Sequence, residues 1–500
     1  MIPQRERPVN VENLNMILPL FVYLVLVFGV AVWGKRAAGR ASDAGGFLEE
    51  YFIGSRSMGG FVLAMAIITT YTSASSFVGG PGVAYKLGLG WILLAMIQVP
   101  TAFLTLGVLG KKFAIVARKV NAVTITDYLR ARYKNELVVF LASAAILVFF
   151  MASMLAQFIG GARLFQTVTG YPYVVGLIIF GITVVIYTTV GGFRAVVITD
   201  TIQGCVMICA SVAILMAVVS AGGGMGKIMA ALREIDPALL TPTGPANAIP
   251  KPFILSFWVL VGLAVLGLPQ TTQKCLGFRD AKSMNNGIII GTFVVGFLLL
   301  AMHLVGALGR AVVPGIEVGD LAVPTITVRL LSPFWAGVFI AGPLAAIMST
   351  VDSMLIISSA AIVKDLYHHY ASKRGIVVSP RKLGTMSFMA TAVVGTIVFI
   401  AALRPPSLLV WINLFAFGGL EAVFFWPTVL GLYWKRANAA GALLSMAAGS
   451  GAFFWMMMHK IQIGGTHQIV PSIAIALAAF IAGSYLGKKP DEETIRAFWG

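Results

Sequence analysis

Residues 345–353 read AAIMSTVDS and lie inside an apolar run, residues 334–362. Two adjacent hydroxyl residues, Ser349 and Thr350, are followed by the acid Asp352. Polar groups inside hydrocarbon are costly unless they find partners. The stretch therefore indicates a buried membrane helix whose oxygens face other protein groups or a bound cation. For Asp352 itself we expect a salt bridge near the cytoplasmic side.

The composition extends this interpretation to the whole chain of 500 residues. Hydrophobic residues make up 58% and charged residues 11%, and the mean hydropathy is +0.91. Soluble domains carry about 25% charged residues. Long apolar stretches predict an all-α polytopic membrane protein with about 13 transmembrane helices in one transmembrane domain, residues 1–500. The predicted spans are 16–34, 58–82, 89–110, 136–159, 173–190, 198–221, 253–272, 287–309, 333–361, 384–403, 407–432, 438–459 and 467–487.

The net charge of +17 follows from the predicted topology. With the N-terminus outside, the inner loops hold 25 of the 36 lysines and arginines. This bias is the positive-inside rule, so we expect an external N-terminus and a cytoplasmic C-terminus. The basic charge then needs no nucleic acid as a partner, and the lipid bilayer is the expected surrounding.

Two of the predicted spans look broken. Span two reads TTYTSASS (69–76) and then GGPG (79–82), and span seven ends in GLPQTT (267–272). Glycine, proline and clustered hydroxyls weaken a helix, and the freed backbone groups are tolerated where they line a cavity. Alternatively, Gly80 and Pro269 only kink packed helices.

The spacing of the two breaks predicts an inverted repeat. The second break comes five spans after the first, and a repeat of five spans must be inserted upside down. Residues 58–221 and 253–432 are the predicted repeats, with peripheral helices at 16–34 and 438–487. Matching interruptions in two halves point to a transport site at the membrane midplane. A passive channel or a sensor is the alternative from another class of protein. A channel, however, would not need a cation site enclosed between two repeats.

Neutral oxygens suggest the ion. Unwound carbonyls and hydroxyls can together hold a hard cation. Span two supplies carbonyls, and span nine supplies Ser349 and Thr350. Because these ligands carry no exchangeable charge at neutral pH, Na⁺ is expected rather than H⁺. The alternative is that both hydroxyls bond to carbonyls one turn earlier, as is common in membrane helices.

Several motifs resemble the sodium:solute symporter family over about residues 14–487. They are GSRSMGG (54–60), SASSFVGGPG (73–82), GGFRAVVITDTIQ (191–203), AAIMST (345–350) and GLYWKRANAAGA (431–442). The resemblance implies a secondary active transporter and not an enzyme. It also implies the inverted-repeat fold of the leucine transporter, with one helix before the core and two after it. Na⁺ is then the coupling ion, and no organic cofactor is expected.

Other stretches are similar to the members of the family that carry pantothenate. They are EYFIGSRSMGG (50–60), YKLGLGWILLAMIQVP (85–100), QFIGGARL (157–164), SFWVLV (256–261), MHLVGALGRAVVP (302–314) and LFAFGGLEAVFFWP (414–427). The implied activity is sodium-driven import of pantothenate across a bacterial inner membrane, by a functional monomer. Another small carboxylate or an amino acid is the alternative cargo.

The resemblance also implies a sodium site, position by position. Carbonyl ligands fall on Thr69, Thr72 and Ala346, and hydroxyl ligands on Ser349 and Thr350.

A candidate second sodium site falls on Asp200 and Ser353. Alternatively, Asp200 is an interfacial acid paired with Arg194 or with a basic residue of a loop.

Solute candidates cluster at the two breaks and in spans four and eleven. They are Tyr71, Ser73, Ser75, Ser76, Gln157, Pro269, Gln270, Thr271, Asn413, Phe417 and Glu421. Hydroxyls and amides suit a solute with a carboxylate, an amide and two hydroxyls. Glu421 lies deep in an apolar run, where it binds solute hydroxyls or holds span eleven to a neighbouring helix; both interpretations stay open.

Overall fold

The computed structural model describes residues 11–45, 58–405 and 409–500. Side chains at 11–13, 34–45, 101–102, 105–106 and 190–195 are also outside the description. Residues 54–57 of GSRSMGG therefore lie outside the described residues, and so do the side chains of the GGFRA part of another motif, including Arg194.

Helices account for nearly all of the described chain, and several continue through π-helical or 3₁₀ turns. They are α1 (Val11–Gly45), α2 (Gly60–Tyr71), α3 (Ser75–Leu87), α4 (Leu89–Met96), α5 (Val99–Phe103), α6 (Lys111–Lys119), α7 (Ile125–Tyr133), α8 (Glu136–Thr169), α9 (Tyr173–Ala221), α10 (Met225–Ile235), α11 (Lys251–Gly267), α12 (Pro269–Leu276), α13 (Ala281–Val312), α14 (Ala322–Leu330), α15 (Pro333–Lys373), α16 (Pro380–Ala402), α17 (Leu409–Tyr433), α18 (Ala439–Met458), α19 (Ile469–Leu486) and α20 (Glu492–Trp499).

The multi-pass architecture is confirmed, whereas the count of thirteen spans is not. Nine helices of the described residues are long and apolar enough to cross a membrane, or up to eleven if each of two bent pairs is one span. Predicted span five is the shorter apolar segment Tyr173–Thr189 within α9. Predicted span three consists of short pieces, α4 and α5 followed by a π-helical turn at Leu104–Gly110.

Both predicted breaks are present. Helices α2 and α3 meet at an angle of 66°, and α11 and α12 meet at 42°. At the first break Thr72 is extended, with φ −92° and ψ 124°. At the second break Leu268 is extended, with φ −70° and ψ 121°, and the next residue is Pro269. A proline clashes with a helical residue before it, so Leu268 cannot continue α11.

Helix α15 lies at the centre of the described bundle. In its most apolar window 94% of the residues are buried, and it packs against α1, α8, α9 and α16 as well as α2. A helix that is apolar all round is expected in such a position. The AAIMSTVDS stretch therefore faces protein on every side, and its oxygens meet the broken end of α2.

The end of span seven differs from the prediction. Residue 272 is the predicted end, which leaves Lys274 in a cytoplasmic loop. In the structure α12 continues to Leu276, and the Lys274 side chain is only 1% exposed. The prediction was wrong because hydropathy treats a lysine as a loop residue. Here the Lys274 ammonium forms an ion pair with the buried carboxylate of Asp200, with Nζ and Oδ2 2.9 Å apart.

Candidate cation site and solute cavity

Five oxygens converge between the end of α2 and the middle of α15. The Ser349 hydroxyl lies 3.1 Å from both the Thr69 and the Ala346 carbonyl oxygens. The Thr350 hydroxyl lies 3.2 Å from the Thr72 carbonyl oxygen and 2.9 Å from that of Ala346. All five residues are buried. The structure thus brings together the five predicted sodium ligands from segments about 280 residues apart.

The chemistry of this cluster fits a cation. Each hydroxyl carries one proton, yet each reaches two carbonyl oxygens, so the cluster is rich in acceptors. An oxygen shell at roughly 2.4 Å from a hard cation places neighbouring oxygens about 3.4 Å apart. The observed oxygen–oxygen distances of 2.9–3.2 Å need only a small expansion. Bonding to a carbonyl one turn earlier accounts for the contacts with Ala346, but not for those with Thr69 and Thr72.

The carbonyls point into the cluster because the helix stops there. The backbone leaves the helical conformation at Thr72, so the last carbonyls of α2 have no N–H donor in a following helical turn. Across the break, the Ala74 N–H donates to the Gln157 side-chain oxygen at 2.8 Å. Gln157 was predicted to bind solute. In the structure the Gln157 side chain, which belongs to α8, instead stabilises the break between α2 and α3.

Asp200 is fully buried and forms an ion pair with Lys274 at 2.9 Å. The described basic partner of Asp200 is therefore Lys274 of α12, which the sequence alone predicts in a loop, while a pairing with Arg194 lies outside the described side chains. Within the described residues, its second carboxylate oxygen and the Ser353 hydroxyl have no hydrogen-bond partner. Both groups predicted for a second cation thus keep a free oxygen.

Asp352 has hydroxyl partners. Its carboxylate accepts hydrogen bonds from Tyr187 and, at 2.5 Å, from Thr188. These two bonds, rather than the expected salt bridge, hold Asp352 against α9. Because buried charges need partners, two hydroxyl donors on one carboxylate lower the cost of placing an acid in this helix.

A cavity of about 40 Å³ lies beside the cation cluster. Small-molecule sites usually measure about 300–1,000 Å³, so this cavity must widen before it can hold a solute. Six predicted solute candidates line it, namely Tyr71, Ser73, Ser75, Ser76, Asn413 and Phe417. The Ser75 hydroxyl has no hydrogen-bond partner within the described residues, so it is available to a ligand. Asn413 is held from α8, where the Ser153 hydroxyl donates to its side-chain oxygen at 2.5 Å.

Four other candidates lie away from this lining. Pro269, Gln270 and Thr271 are buried in the first turn of α12. Glu421 is fully buried in α17 and is not part of the cavity wall. The prediction placed them in the cavity because they accompany the second break or interrupt an apolar run. The direction in which a side chain points could not be read from that pattern.

The sequence interpretation missed part of the wall. Gly80, Trp91, Ala95, Gln98, Phe257, Val261, His303, Val410 and Leu414 also line the cavity. Two of these carried a signal, because Gln98 and His303 are polar residues in apolar runs. His303 Nδ1 lies 2.7 Å from the Leu299 carbonyl oxygen, which can only accept. In the neutral ring Nε2 is then an acceptor for a donor group of the solute.

The chain is similar in sequence to known transport proteins over nearly its whole length. The sequence model of the sodium:solute symporter family matches residues 51–449. The chain is 52% identical to the sodium/pantothenate symporter of Escherichia coli over 97% of this chain and 99% of that protein. It is 50% identical to the protein of the same name from Haemophilus influenzae, over 96% and 98%. The osmoregulated proline transporter OpuE of Bacillus subtilis is 26% identical, over 97% and 98%.

Solved structures share the fold. A Na⁺-coupled sialic acid symporter in a substrate-bound outward-open state matches with a TM-score of 0.78, 18% identity, and coverage of 96% of this chain and 99% of that one. Mhp1, a nucleobase-cation-symport-1 family transporter, in a closed conformation matches with a TM-score of 0.56 and 13% identity, over 89% and 97%. The expected all-α, leucine-transporter-like fold is therefore confirmed.

Proposed function

Because the chain belongs to the sodium:solute symporter family, we propose that it imports pantothenate into the bacterial cell together with Na⁺. The observation that carries this proposal is the cluster of five oxygens at the end of α2, directly beside a polar cavity. The relatives with half of their residues identical to this chain are sodium/pantothenate symporters, and this similarity supports the choice of cargo.

In this proposal Na⁺ is held by the carbonyls of Thr69, Thr72 and Ala346 and the hydroxyls of Ser349 and Thr350. It joins the broken helix α2 to α15, which lies at the centre of the bundle. When the ion leaves, α2 is free to move relative to α15, and access to the cavity changes sides. Cation binding thus stabilises one arrangement of the two helices by its differential affinity.

The solute occupies a widened form of the cavity, with its carboxylate toward the start of α3. The positive end of the helix dipole and the hydroxyls of Ser73, Ser75 and Ser76 lie there. Gln98, Asn413 and His303 are polar groups on the other walls, and they suit the amide and hydroxyls of pantothenate. Tyr71 and Phe417 supply apolar contact area for its methyl groups.

The topology and assembly form part of the same proposal. The N-terminus lies outside and the C-terminus in the cytoplasm of the inner membrane, as the distribution of lysine and arginine indicates. Residues 58–221 and 253–432 are the inverted repeats, and the peripheral helices are at 16–34 and 438–487. The functional unit in this proposal is a monomer.

The number of sodium ions determines how strongly the solute can be concentrated. One Na⁺ with one anionic solute moves no net charge, and a tenfold gradient supplies about 1.4 kcal/mol, or roughly tenfold accumulation. A second Na⁺ at the free oxygens of Asp200 and Ser353 would add that amount and about 2.3 kcal/mol per 100 mV of membrane potential. A current carried with the solute distinguishes the two cases.

Uptake of labelled pantothenate into proteoliposomes tests the function. We expect uptake with an inward Na⁺ gradient and none with a matched K⁺ gradient. Excess unlabelled pantothenate should abolish the signal, whereas proline should not. Uptake that is indifferent to Na⁺ would contradict the coupling. Sodium-dependent uptake of a different carboxylate or of an amino acid, without pantothenate uptake, would retain symport and overturn the cargo.

A further inference from the structure

Glu421 is a buried acid whose two carboxylate oxygens have no hydrogen-bond partner within the described residues. Its side chain is 0% exposed. Buried carboxyl groups are costly without partners, and replacing one by an apolar side chain of similar shape can even stabilise a protein. Among the residues that the structure describes, no hydrogen bond therefore supports the alternative that Glu421 holds α17 to a neighbouring helix.

The position of Glu421 on α17 relates it to the solute cavity. Val410, Asn413, Leu414 and Phe417 line the cavity from this helix. Their spacing of three or four residues defines one face of the helix. Glu421 follows Phe417 by four residues, so it lies on the same face, one turn beyond the cavity wall.

A close backbone contact lies beyond Glu421. An added Cβ at Gly267 would be only 2.6 Å from the backbone nitrogen and Cα of Phe425, one turn after Glu421. Gly267 is the last residue of α11, directly before the break at Leu268. Along α17, Glu421 thus lies between Phe417, which lines the cavity, and Phe425, which contacts Gly267. Separation of α11 from α17 at this contact would expose Glu421 on the side away from the cavity.

We propose that Glu421 is a specificity residue that accepts hydrogen bonds from the solute hydroxyls when the solute passes Phe417 on its way to the cytoplasm. This role deepens the proposed function and rests on it. A carboxylate accepts hydrogen bonds and repels the solute's own carboxylate. Glu421 therefore favours a solute whose hydroxyl-bearing end moves first toward the cytoplasm. The solute then leaves with its carboxylate last, nearest the hydroxyls at the start of α3.

The test measures two variants of the protein with two solutes. The variants are Glu421→Met, which keeps the length of the side chain, and Glu421→Gln, which keeps one acceptor oxygen. The solutes are pantothenate and a dideoxy analogue that keeps the carboxylate and amide but lacks both hydroxyls. Each is measured for sodium-driven uptake and for exchange against internal solute in proteoliposomes.

We expect Glu421→Met to lower pantothenate transport by about tenfold to hundredfold, the usual effect of a lost hydrogen bond to a charged acceptor. Transport of the analogue should change less than about threefold, and Glu421→Gln should lie between. The thermal unfolding temperature of Glu421→Met should stay equal or rise, because a buried polar group without a partner has been removed. Ser445→Ala, which removes another buried hydroxyl without a described partner, is the control with unchanged transport.

Three results would overturn the proposal. One is an equal loss for pantothenate and the analogue in Glu421→Met, which would mean a general effect on the helix. Another is a lowered unfolding temperature with an unchanged ratio of the two solutes, which would make Glu421 structural. A third is unchanged transport of both solutes. Failure of the wild-type protein to transport pantothenate would instead refute the proposed function.

Discussion

Removing the Ser349 hydroxyl should weaken sodium coupling much more than it weakens the fold. Ser349→Ala deletes one of five clustered oxygens, which lies 3.1 Å from two carbonyl oxygens. As a structural hydrogen bond, the hydroxyl contributes about 1 kcal/mol to the free energy of unfolding. As a ligand of a buried cation it contributes about 1.5–3 kcal/mol, the value for a bond to a charged group. The sodium concentration for half-maximal uptake should then rise about tenfold to hundredfold.

Ser359→Ala is the matched control for this experiment. Ser359 is a buried serine of the same helix, and its hydroxyl also donates to a carbonyl of another helix, that of Ser387 at 3.2 Å. Its loss should lower the unfolding free energy by a similar amount while leaving the sodium dependence unchanged. Both variants and the wild type are measured by thermal unfolding in detergent and by uptake as a function of Na⁺ concentration.

The reasoning is refuted if Ser349→Ala and Ser359→Ala behave alike in both assays. That result would mean that the hydroxyl is only a structural bond between α15 and α2. A lowered maximal uptake with an unchanged sodium requirement would also contradict the assignment, since it would place Ser349 in the conformational step rather than in ion binding. Thr350→Ala, which removes the second hydroxyl, should reproduce the effect of Ser349→Ala.

Three further predictions concern stability. Lys274→Met leaves the buried Asp200 carboxylate unpaired, so it should lower the free energy of unfolding by about 3–5 kcal/mol, and adding Asp200→Leu should recover most of the loss in denaturant unfolding. Gly267→Val forces α11 and α17 apart and should cost about 1–3 kcal/mol and abolish uptake. Burial is the largest single effect on the pKa of Asp127 and raises it, but the Lys364 ammonium, the Val123 N–H and Arg130 together hold the pKa below its usual range. The stabilisation is therefore present above about pH 4 and lost as the pH falls further, and Asp127→Asn should reduce this decline in thermal unfolding between pH 7 and pH 3.

The sequence predicts the breaks and the cation ligands for local reasons. A proline forces the residue before it out of the helix, so the extended Leu268 could be expected from Pro269 alone. Oxygens in hydrocarbon need partners, so the hydroxyls of Ser349 and Thr350 had to meet other polar groups. The identity of those groups, the carbonyls at the end of α2, came from the resemblance to a family.

Other parts of the site depend on side-chain direction, which the order of residues leaves open. Gln157 could equally point to the cavity or to the break, and its bond to the Ala74 N–H is decided by the packing of α8 against that break. From the sequence alone Lys274 is predicted to be a loop residue. Only the structure shows that Asp200, 74 positions earlier in the chain, lies beside it. Gln98 and His303 are visible as polar residues in apolar runs, but only the fold shows that both reach the same cavity.

The role of the oxygens in AAIMSTVDS depends on the segment of α2 that they contact. In residues 69–73 the carbonyls of Thr69 and Thr72 face the cation cluster, while Tyr71 and Ser73 line the cavity. In the proposed function, one short piece of backbone is therefore contacted by both Na⁺ and the solute. We expect whichever ligand binds first to order the segment for the second, and each then raises the affinity for the other by the same factor. A variant of the cation cluster should therefore also weaken solute binding at a fixed Na⁺ concentration, even though no group of the cavity has changed.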